Sequence, residues 1–184
     1  TPSTGYRFVR WSDSSTSSPR TDLNVTGSIT VNAVFELLTY TVTYVAGTNG
    51  TLTGSATQTV SHGNDGTSVT ISANSGYTFS KWNEDNSTST TRNETNVTSN
   101  KTFTAVYTVN TYTITFDTNG GIYSDSTTSK NVTLAFNVNA LGNVPSTPTY
   151  TGYSLLGWAT TSGATTALST YLVPAENKTL YAVW

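Results

Sequence analysis

The chain has 184 residues and a net charge of −2; charged residues are only 10%, while Thr, Ser and Asn (41, 23 and 17) make up 81 positions. Its eight Lys and Arg are scattered singly, which excludes the basic stripe of a nucleic-acid binder and makes an anionic membrane a poor partner. No apolar run approaches the ~20 residues of a membrane span, and zero Cys excludes disulfides, thiolate metal sites and cysteine nucleophiles.

Eleven Tyr, six Phe and four Trp suffice to fill several small cores. In chain order, the first aromatic element is Gly5-Tyr6-Arg7-Phe8-Val9-Arg10-Trp11. Ile29, Val31, Ala33 and Phe35 then alternate as one face of a strand, and Tyr40-Thr41-Val42-Thr43-Tyr44 does so again. Turn signals at Thr48-Asn49-Gly50 and Gly63-Asn64-Asp65-Gly66 bracket further strands, including residues 67–73. Gly76-Tyr77-Thr78-Phe79-Ser80-Lys81-Trp82 repeats the first element, and Ala105-Val106-Tyr107 repeats Ala33-Val34-Phe35. Tyr112-Thr113-Ile114-Thr115-Phe116 repeats the Tyr-Thr strand and runs into the turn Asn119-Gly120-Gly121. Val138–Leu141 offers one helical turn at most. Gly152-Tyr153-Ser154-Leu155-Leu156-Gly157-Trp158 and Ala182-Val183-Trp184 complete a third copy.

Self-similarity is therefore the dominant signal. The order within a unit is Tyr-Thr strand, Gly-Tyr element, Ala-Val-aromatic strand. Residues 39–109 and 110–184 carry complete sets. Residues 1–38 carry only the second half of one, whose first strands are expected to lie upstream or to come from another molecule. Because it starts at Thr1 and has no Met, the chain is expected to be a piece of something longer. The shared aromatics are expected to be core: Tyr6, Phe8, Trp11, Phe35, Tyr77, Phe79, Trp82, Tyr107, Tyr153, Leu155, Trp158 and Trp184. By period two, Trp82 falls on the opposite face from Tyr77 and Phe79, so either a bulge turns it inward or it packs elsewhere.

The ordered landmarks resemble the bacterial repeats named after Listeria and Bacteroides, also called internalin B-type repeats. Residues 112–184 are similar to the standard form, with Tyr112–Phe116, Asp117–Gly121, Pro145–Pro148, Gly152–Trp158 and Leu180–Trp184 in sequence. Residues 5–36 and 40–107 resemble the divergent form, which keeps Gly-Tyr-x-Phe-x-x-Trp and a final Ala-Val-Phe. The resemblance implies a mainly β chain of tandem small β-grasp-like domains with little helix, arranged end to end on a large extracellular protein. It brings no catalytic residues. Ala159 departs from the pattern, standing where an aromatic often follows the Trp.

Candidate chemical sites are few. Ser61-His62-Gly63-Asn64-Asp65 holds the only His, but three residues of one turn cannot converge as a catalytic triad, and His62 is expected to be a solvated turn residue. Asp13, Asp22, Glu84, Asp85, Asp117 and Asp125 are thinly spread, with Glu84-Asp85-Asn86 the one cluster worth testing against a cation. Sequons make Asn24, Asn49, Asn86, Asn93, Asn96, Asn100, Asn131 and Asn177 glycosylation candidates. Lys81, Lys101, Lys130 and Lys178 are the only lysines available for a Lys–Asn isopeptide cross-link.

The expectation is a non-enzymatic stalk or spacer of a bacterial surface protein or adhesin, located outside the cell. No catalytic, cofactor or metal site is expected. Its partners would be neighbouring repeats and, through residues 1–38, another copy of the chain; nucleic acid and membrane insertion are not expected. The rivals are a carbohydrate- or host-protein-binding module and a filament subunit assembled by strand complementation. The binding module calls for a contiguous exposed aromatic patch.

Overall fold

A computed structural model describes residues 1–184. Its elements are β1 (Tyr6–Trp11), β2 (Ala33–Leu37), β3 (Thr39–Val45), β4 (Gly50–Thr53), β5 (Thr57–Ser61), β6 (Val69–Ala73), β7 (Tyr77–Trp82), β8 (Thr91–Arg92), β9 (Lys101–Val109), β10 (Thr111–Asp117), β11 (Ser129–Ala135), one 3-10 turn (Ala140–Asn143), β12 (Gly157–Ala159) and β13 (Lys178–Val183). The fold is nearly all β, as Thr, Val and aromatic residues at alternating positions dictate.

The third repeat shows the plan most simply. Its sheet has the order β11-β10-β13-β12. β10 and β11 pair antiparallel from Thr111↔Ala135 to Asp117↔Ser129. β10 and β13, the first and last strands, run parallel at the centre, from Ile114↔Lys178 to Asp117↔Tyr181. This second-first-last-third order with a parallel centre is the β-grasp arrangement. The second repeat has the same order, β5-β3-β9-β7, with β3 and β9 parallel from Val42↔Lys101 to Val45↔Thr104. It adds a small sheet β4-β6-β8. Residues 1–38 hold only the antiparallel pair β1-β2.

The cores follow from strand alternation. Val42 and Tyr44 of β3, Val60 of β5, Val69 and Ile71 of β6, Phe103 and Ala105 of β9, with Val97 and Trp82, are buried. In the third repeat Ile114, Phe116, Tyr123, Ala140, Trp158, Val173, Leu180 and Ala182 form the equivalent cluster. The single 3-10 turn closes on its cap, the Leu141 amide donating to the Asn139 side chain at 3.2 Å.

Compactness divides the chain into two units, Thr1–Ser72 with Lys81–Val106 and Ala73–Ser80 with Tyr107–Trp184. These limits differ from the sequence periods because the start of β7 packs among residues that follow it. Within the second unit, Tyr77 meets Phe136 edge-on at 5.8 Å and Phe79 meets Tyr107 at 5.9 Å.

In the first and third repeats a bulge sets the parity of the Trp. In β1 the register shifts between Phe8 and Arg10, so Phe8 faces Phe35 while Trp11 faces Ala33. The extra residue returns Trp11 to the face of Phe8, and the rings meet at 5.4 Å. Trp158 likewise faces Ala182, and both Leu156 and Gly157 oppose Val183.

Burial separates the twelve expected core residues. Trp82 and Trp158 are buried; Phe8, Trp11, Tyr77, Phe79, Tyr107, Leu155 and Trp184 are half-buried. Tyr6, Phe35 and Tyr153 are exposed, at 45%, 40% and 61%, and are corrected to surface positions. For Phe35 the reason is that β1-β2 has no first strand beside it. For Tyr6 and Tyr153 it is their position at the rim of the sheet, beside a turn. The alternating run at residues 29–35 becomes strand only from Ala33, and Ile29 is 51% exposed.

Trp82→Ala is expected to cost about 3–5 kcal/mol, the usual toll of emptying a buried aromatic site, and Trp11→Ala distinctly less. Chemical denaturation measures both. A loss below about 1 kcal/mol for Trp82→Ala would show that the ring is not central to that core.

Candidate functional site

The features that recur in this chain with one geometry are the joints between successive repeats. Ser3-Thr4-Gly5-Tyr6 and Asn74-Ser75-Gly76-Tyr77 form the same turn: the Tyr amide donates to the carbonyl three residues back at 3.0 Å, and Gly5 and Gly76 sit at φ +81° and +83°. At each joint one residue clasps this turn to the next repeat. The Leu38 amide donates to the Gly5 carbonyl at 2.7 Å, and the Leu38 carbonyl accepts the His62 amide at 2.8 Å. The Asn110 amide donates to the Gly76 carbonyl at 2.9 Å, and the Asn110 carbonyl accepts the Phe136 amide at 2.8 Å.

His62 and Phe136 are the first residues after β5 and β11, where the register ends at Thr39↔Ser61 and Thr111↔Ala135. Their rings lie over the two glycines. A Cβ on Gly5 would overlap the His62 ring and one on Gly76 the Phe136 ring, and both glycines are buried. Glycine is thus required twice over, by backbone conformation and by ring contact. His62 is therefore corrected from a solvated turn residue to a packing residue. Its ring also meets Tyr40 at 5.9 Å, and its Nδ1 is buried without a hydrogen-bond partner. Leu38 is half-buried at the joint, while Leu37 is 36% exposed.

The other candidates are occupied by structural contacts. Asp85 pairs with Arg92 at 2.8 Å, Glu84 accepts the Thr104 amide at 2.7 Å, and Asn86 accepts the Lys81 ammonium at 2.5 Å. These groups point to different partners and do not converge on one point; no group of three potential ligands is brought together anywhere. Lys101, Lys130 and Lys178 pair with Glu94, Asp125 and Glu176 at 2.5, 3.0 and 2.8 Å. Asp117 accepts the Asn119 amide at 2.8 Å and shapes its turn. A shallow cleft of about 500 Å³ runs along β5, lined by Gln58, Ser61, Asp65 and Thr67 among others; Gln58 spends its amide on the Ser55 and Thr67 backbone.

Seven of the eight sequon asparagines are exposed and Asn49 is half-buried. Two have a structural role that sequence reasoning missed. Asn100 and Asn177 accept the Thr41 and Thr113 amides, each at 2.8 Å, and so tie the start of the last strand to the first. The signal was present as the shared tripeptides Asn100-Lys101-Thr102 and Asn177-Lys178-Thr179. Asn131 accepts the Thr115 hydroxyl at 2.8 Å across β10-β11.

A sequence profile of the Listeria-Bacteroides repeat domain matches residues 112–183, and one of the divergent InlB B-repeat domain matches residues 1–38 and 40–111. The chain belongs to the divergent InlB B-repeat family, and its last part, residues 112–183, matches the Listeria-Bacteroides repeat. These repeats are structural, non-catalytic domains typical of bacterial surface proteins.

The two divergent repeats share a clasp that the third repeat of this chain lacks. In each, an arginine lies over the repeat Trp and bridges two carboxylates. Arg20 is 5.8 Å from the Trp11 ring and pairs with Asp13 at 2.7 Å and Asp22 at 2.5 Å. Arg92 is 5.7 Å from the Trp82 ring and 3.6 Å from the Phe103 ring, and pairs with Asp85 at 2.8 Å and Glu94 at 3.1 Å. The indole nitrogens donate to the Ser17 and Ser89 carbonyls at 2.8 and 3.0 Å. In the third repeat Trp158 packs edge-on against Phe116 at 4.9 Å with no arginine over it, whereas Trp82 makes the equivalent contact with Tyr44 at 6.0 Å in addition to its arginine.

Hydrogen bonds from Arg20 hold the Asp13 and Asp22 carboxyls below the usual range, and one from Arg92 does the same for Asp85. The Thr127 hydroxyl, then Lys130, draw Asp125 down to about 2. Groups depressed in the folded state contribute stability above their unfolded pKa of about 3.9, and that contribution is lost as pH falls through the folded values. Melting temperature should therefore hold level from pH 7 to about 5 and drop below about 4, as thermal melts across pH will show.

Gly76→Ala must displace a ring as well as strain the backbone, whereas Gly152→Ala at φ +83° has open space around it. Urea denaturation is expected to show about 1–2 kcal/mol for Gly152→Ala from the left-handed backbone alone, and at least about 1 kcal/mol more for Gly76→Ala. Equal losses would mean that the ring contact contributes nothing.

Proposed function

We propose that the chain is a stiffened spacer segment of an extracellular bacterial surface protein, one that holds other parts of that protein at a fixed distance. The observation that carries this reading is the repetition of one joint. A buried glycine, a ring over it and a single residue bonded to both sides recur at Gly5–Leu38–His62 and Gly76–Asn110–Phe136. A flexible linker would be longer and rich in Gly and Ser. Here the connections Glu36–Thr39 and Thr108–Thr111 are four residues each, and their backbone is drawn into β2, β3, β9 and β10. Nearest-neighbour contacts that repeat in this way are the basis of stiffness in repeat arrays.

A sugar-binding role draws less support. Tyr150 and Tyr153 stack on each other at 4.7 Å, so each ring spends a face on its neighbour, and Tyr150 meets Trp184 edge-on at 5.6 Å.

Backbone 15N relaxation on the 184-residue chain tests the spacer reading. Strands β3, β9, β10 and β13 should report a single rotational correlation time with common anisotropy. Separate, shorter times for the second and third repeats would mean beads on a string and remove the reading.

A further inference from the structure

The Gly-Tyr turn occurs three times, and its surroundings differ at the third. Tyr150-Thr151-Gly152-Tyr153 closes as the other two do, with the Tyr153 amide on the Tyr150 carbonyl at 3.0 Å and Gly152 at φ +83°. Gly5 and Gly76 are buried beneath rings, yet Gly152 is exposed, with no atom within 4 Å of where its Cβ would stand. The neighbouring side chains follow suit. Tyr153 is 61% exposed, against 45% for Tyr6 and a half-buried Tyr77 under Phe136, and the clearer contrast is Leu156, 63% exposed where its counterparts Val9 and Ser80 are half-buried.

We propose that Gly152, Tyr153 and Leu156 form a docking surface for a further repeat of the same family, covalently following Trp184. Its occupant is the ring of the first residue after that repeat's second strand. The two covered copies define what seats on a turn of this shape: a planar side chain over the glycine, and a backbone amide on the glycine carbonyl. In both, that amide belongs to the fifth residue after the Ala of the Ala-Val-aromatic strand, Ala33 to Leu38 and Ala105 to Asn110. Five residues beyond Ala182 is three beyond Trp184, so a directly following repeat meets the surface in register. A second copy of this chain fits poorly, because its own rings, His62 and Phe136, already lie over Gly5 and Gly76. The patch is also apolar, which suits a ring and an aliphatic side chain better than a charged partner.

The proposal rests on the repeated joint geometry and supplies the site through which the proposed spacer would be prolonged. The two readings fail separately, since relaxation of the 184-residue chain probes only its existing joints. The test appends a second copy of residues 108–184 directly after Trp184, which restores the five-residue spacing, and follows both chains by NMR. In the extended chain, Gly152 Hα should show a ring-current shift like those of Gly5 and Gly76. The amide of the appended copy of Asn110 should exchange roughly five- to tenfold more slowly than in a chain where the appended copy of Phe136 carries F136A, the weight of about one net hydrogen bond. The same F136A should return the Gly152 signal to its position in the 184-residue chain. An unmoved Gly152 signal in a folded extended chain overturns the proposal. So does a concentration-dependent shift of Gly152 in the unextended chain, which would make a second copy the occupant. A Tyr153 or Gly152 signal that moves with a soluble oligosaccharide instead would give the patch to a glycan and overturn it equally.

Discussion

The fold of each complete repeat depends on bringing its first and last strands side by side. β3 meets β9 and β10 meets β13 across loops of more than fifty residues, so closure entropy must be met by the contacts that the pair then makes possible. The chain meets it with paired Thr and apolar residues across the ladder and with an asparagine placed one residue before the last strand. Asn100 and Asn177 take the amides of Thr41 and Thr113 at the point where each parallel ladder begins. Much of what is buried in the sheet, including Val42, Phe103, Ile114 and Leu180, sits on these two strands. Residues 1–38 hold the antiparallel β1-β2 pair and no parallel ladder. β1 and β2 pair well enough, but Phe35 is left open, and Leu23 and Val25 are 81% and 55% exposed.

The joints use the other half of each repeat. The turn that starts the Gly-Tyr element lies at the sheet rim, and its glycine leaves a flat surface that no other residue could offer at φ above +80°. A His serves at one joint and a Phe at the other. Planarity and reach therefore matter more than apolarity alone, since imidazole and benzene rings both cover the glycine. The backbone bonds on either side of Leu38 and Asn110 are side-chain independent, which lets the joint tolerate two unlike residues at that position.

Strand identity, repeat order and the family were legible because they rest on period-two alternation and on aromatic landmarks that recur at near-constant spacing. The bulge was readable only as a conflict. Tyr77, Phe79 and Trp82 could not share a face in a regular strand, and the register shift seen in β1 shows how such a pattern is reconciled. His62 was misread because its local sequence is that of a polar turn, while its environment is set by Gly5, fifty-seven positions earlier. The equivalence of His62 to Phe136 becomes visible only when β5 and β11 are aligned by pairing, since the residues themselves share little. The arginine clasp escaped for the same reason: Arg20 and Arg92 follow their Trp residues by nine and ten positions, in loops whose sequences differ. Tyr6 and Tyr153 show the opposite error, in which a recurring aromatic is taken for core although it stands at the rim, outside the reach of its own sheet.

The parallel central pair has a mechanical consequence. In the third repeat the chain enters at the start of β10 and leaves at the end of β13, and because those strands lie side by side and point the same way, tension between entry and exit pulls them along their length in opposite directions. The ladder from Ile114–Lys178 to Asp117–Tyr181 is then loaded in shear, with its hydrogen bonds sharing the force together instead of parting one at a time as in a hairpin peeled from its end. The second repeat presents β3 and β9 to a pull in the same way. Thread polarity alone thus makes each complete repeat resist extension at its centre.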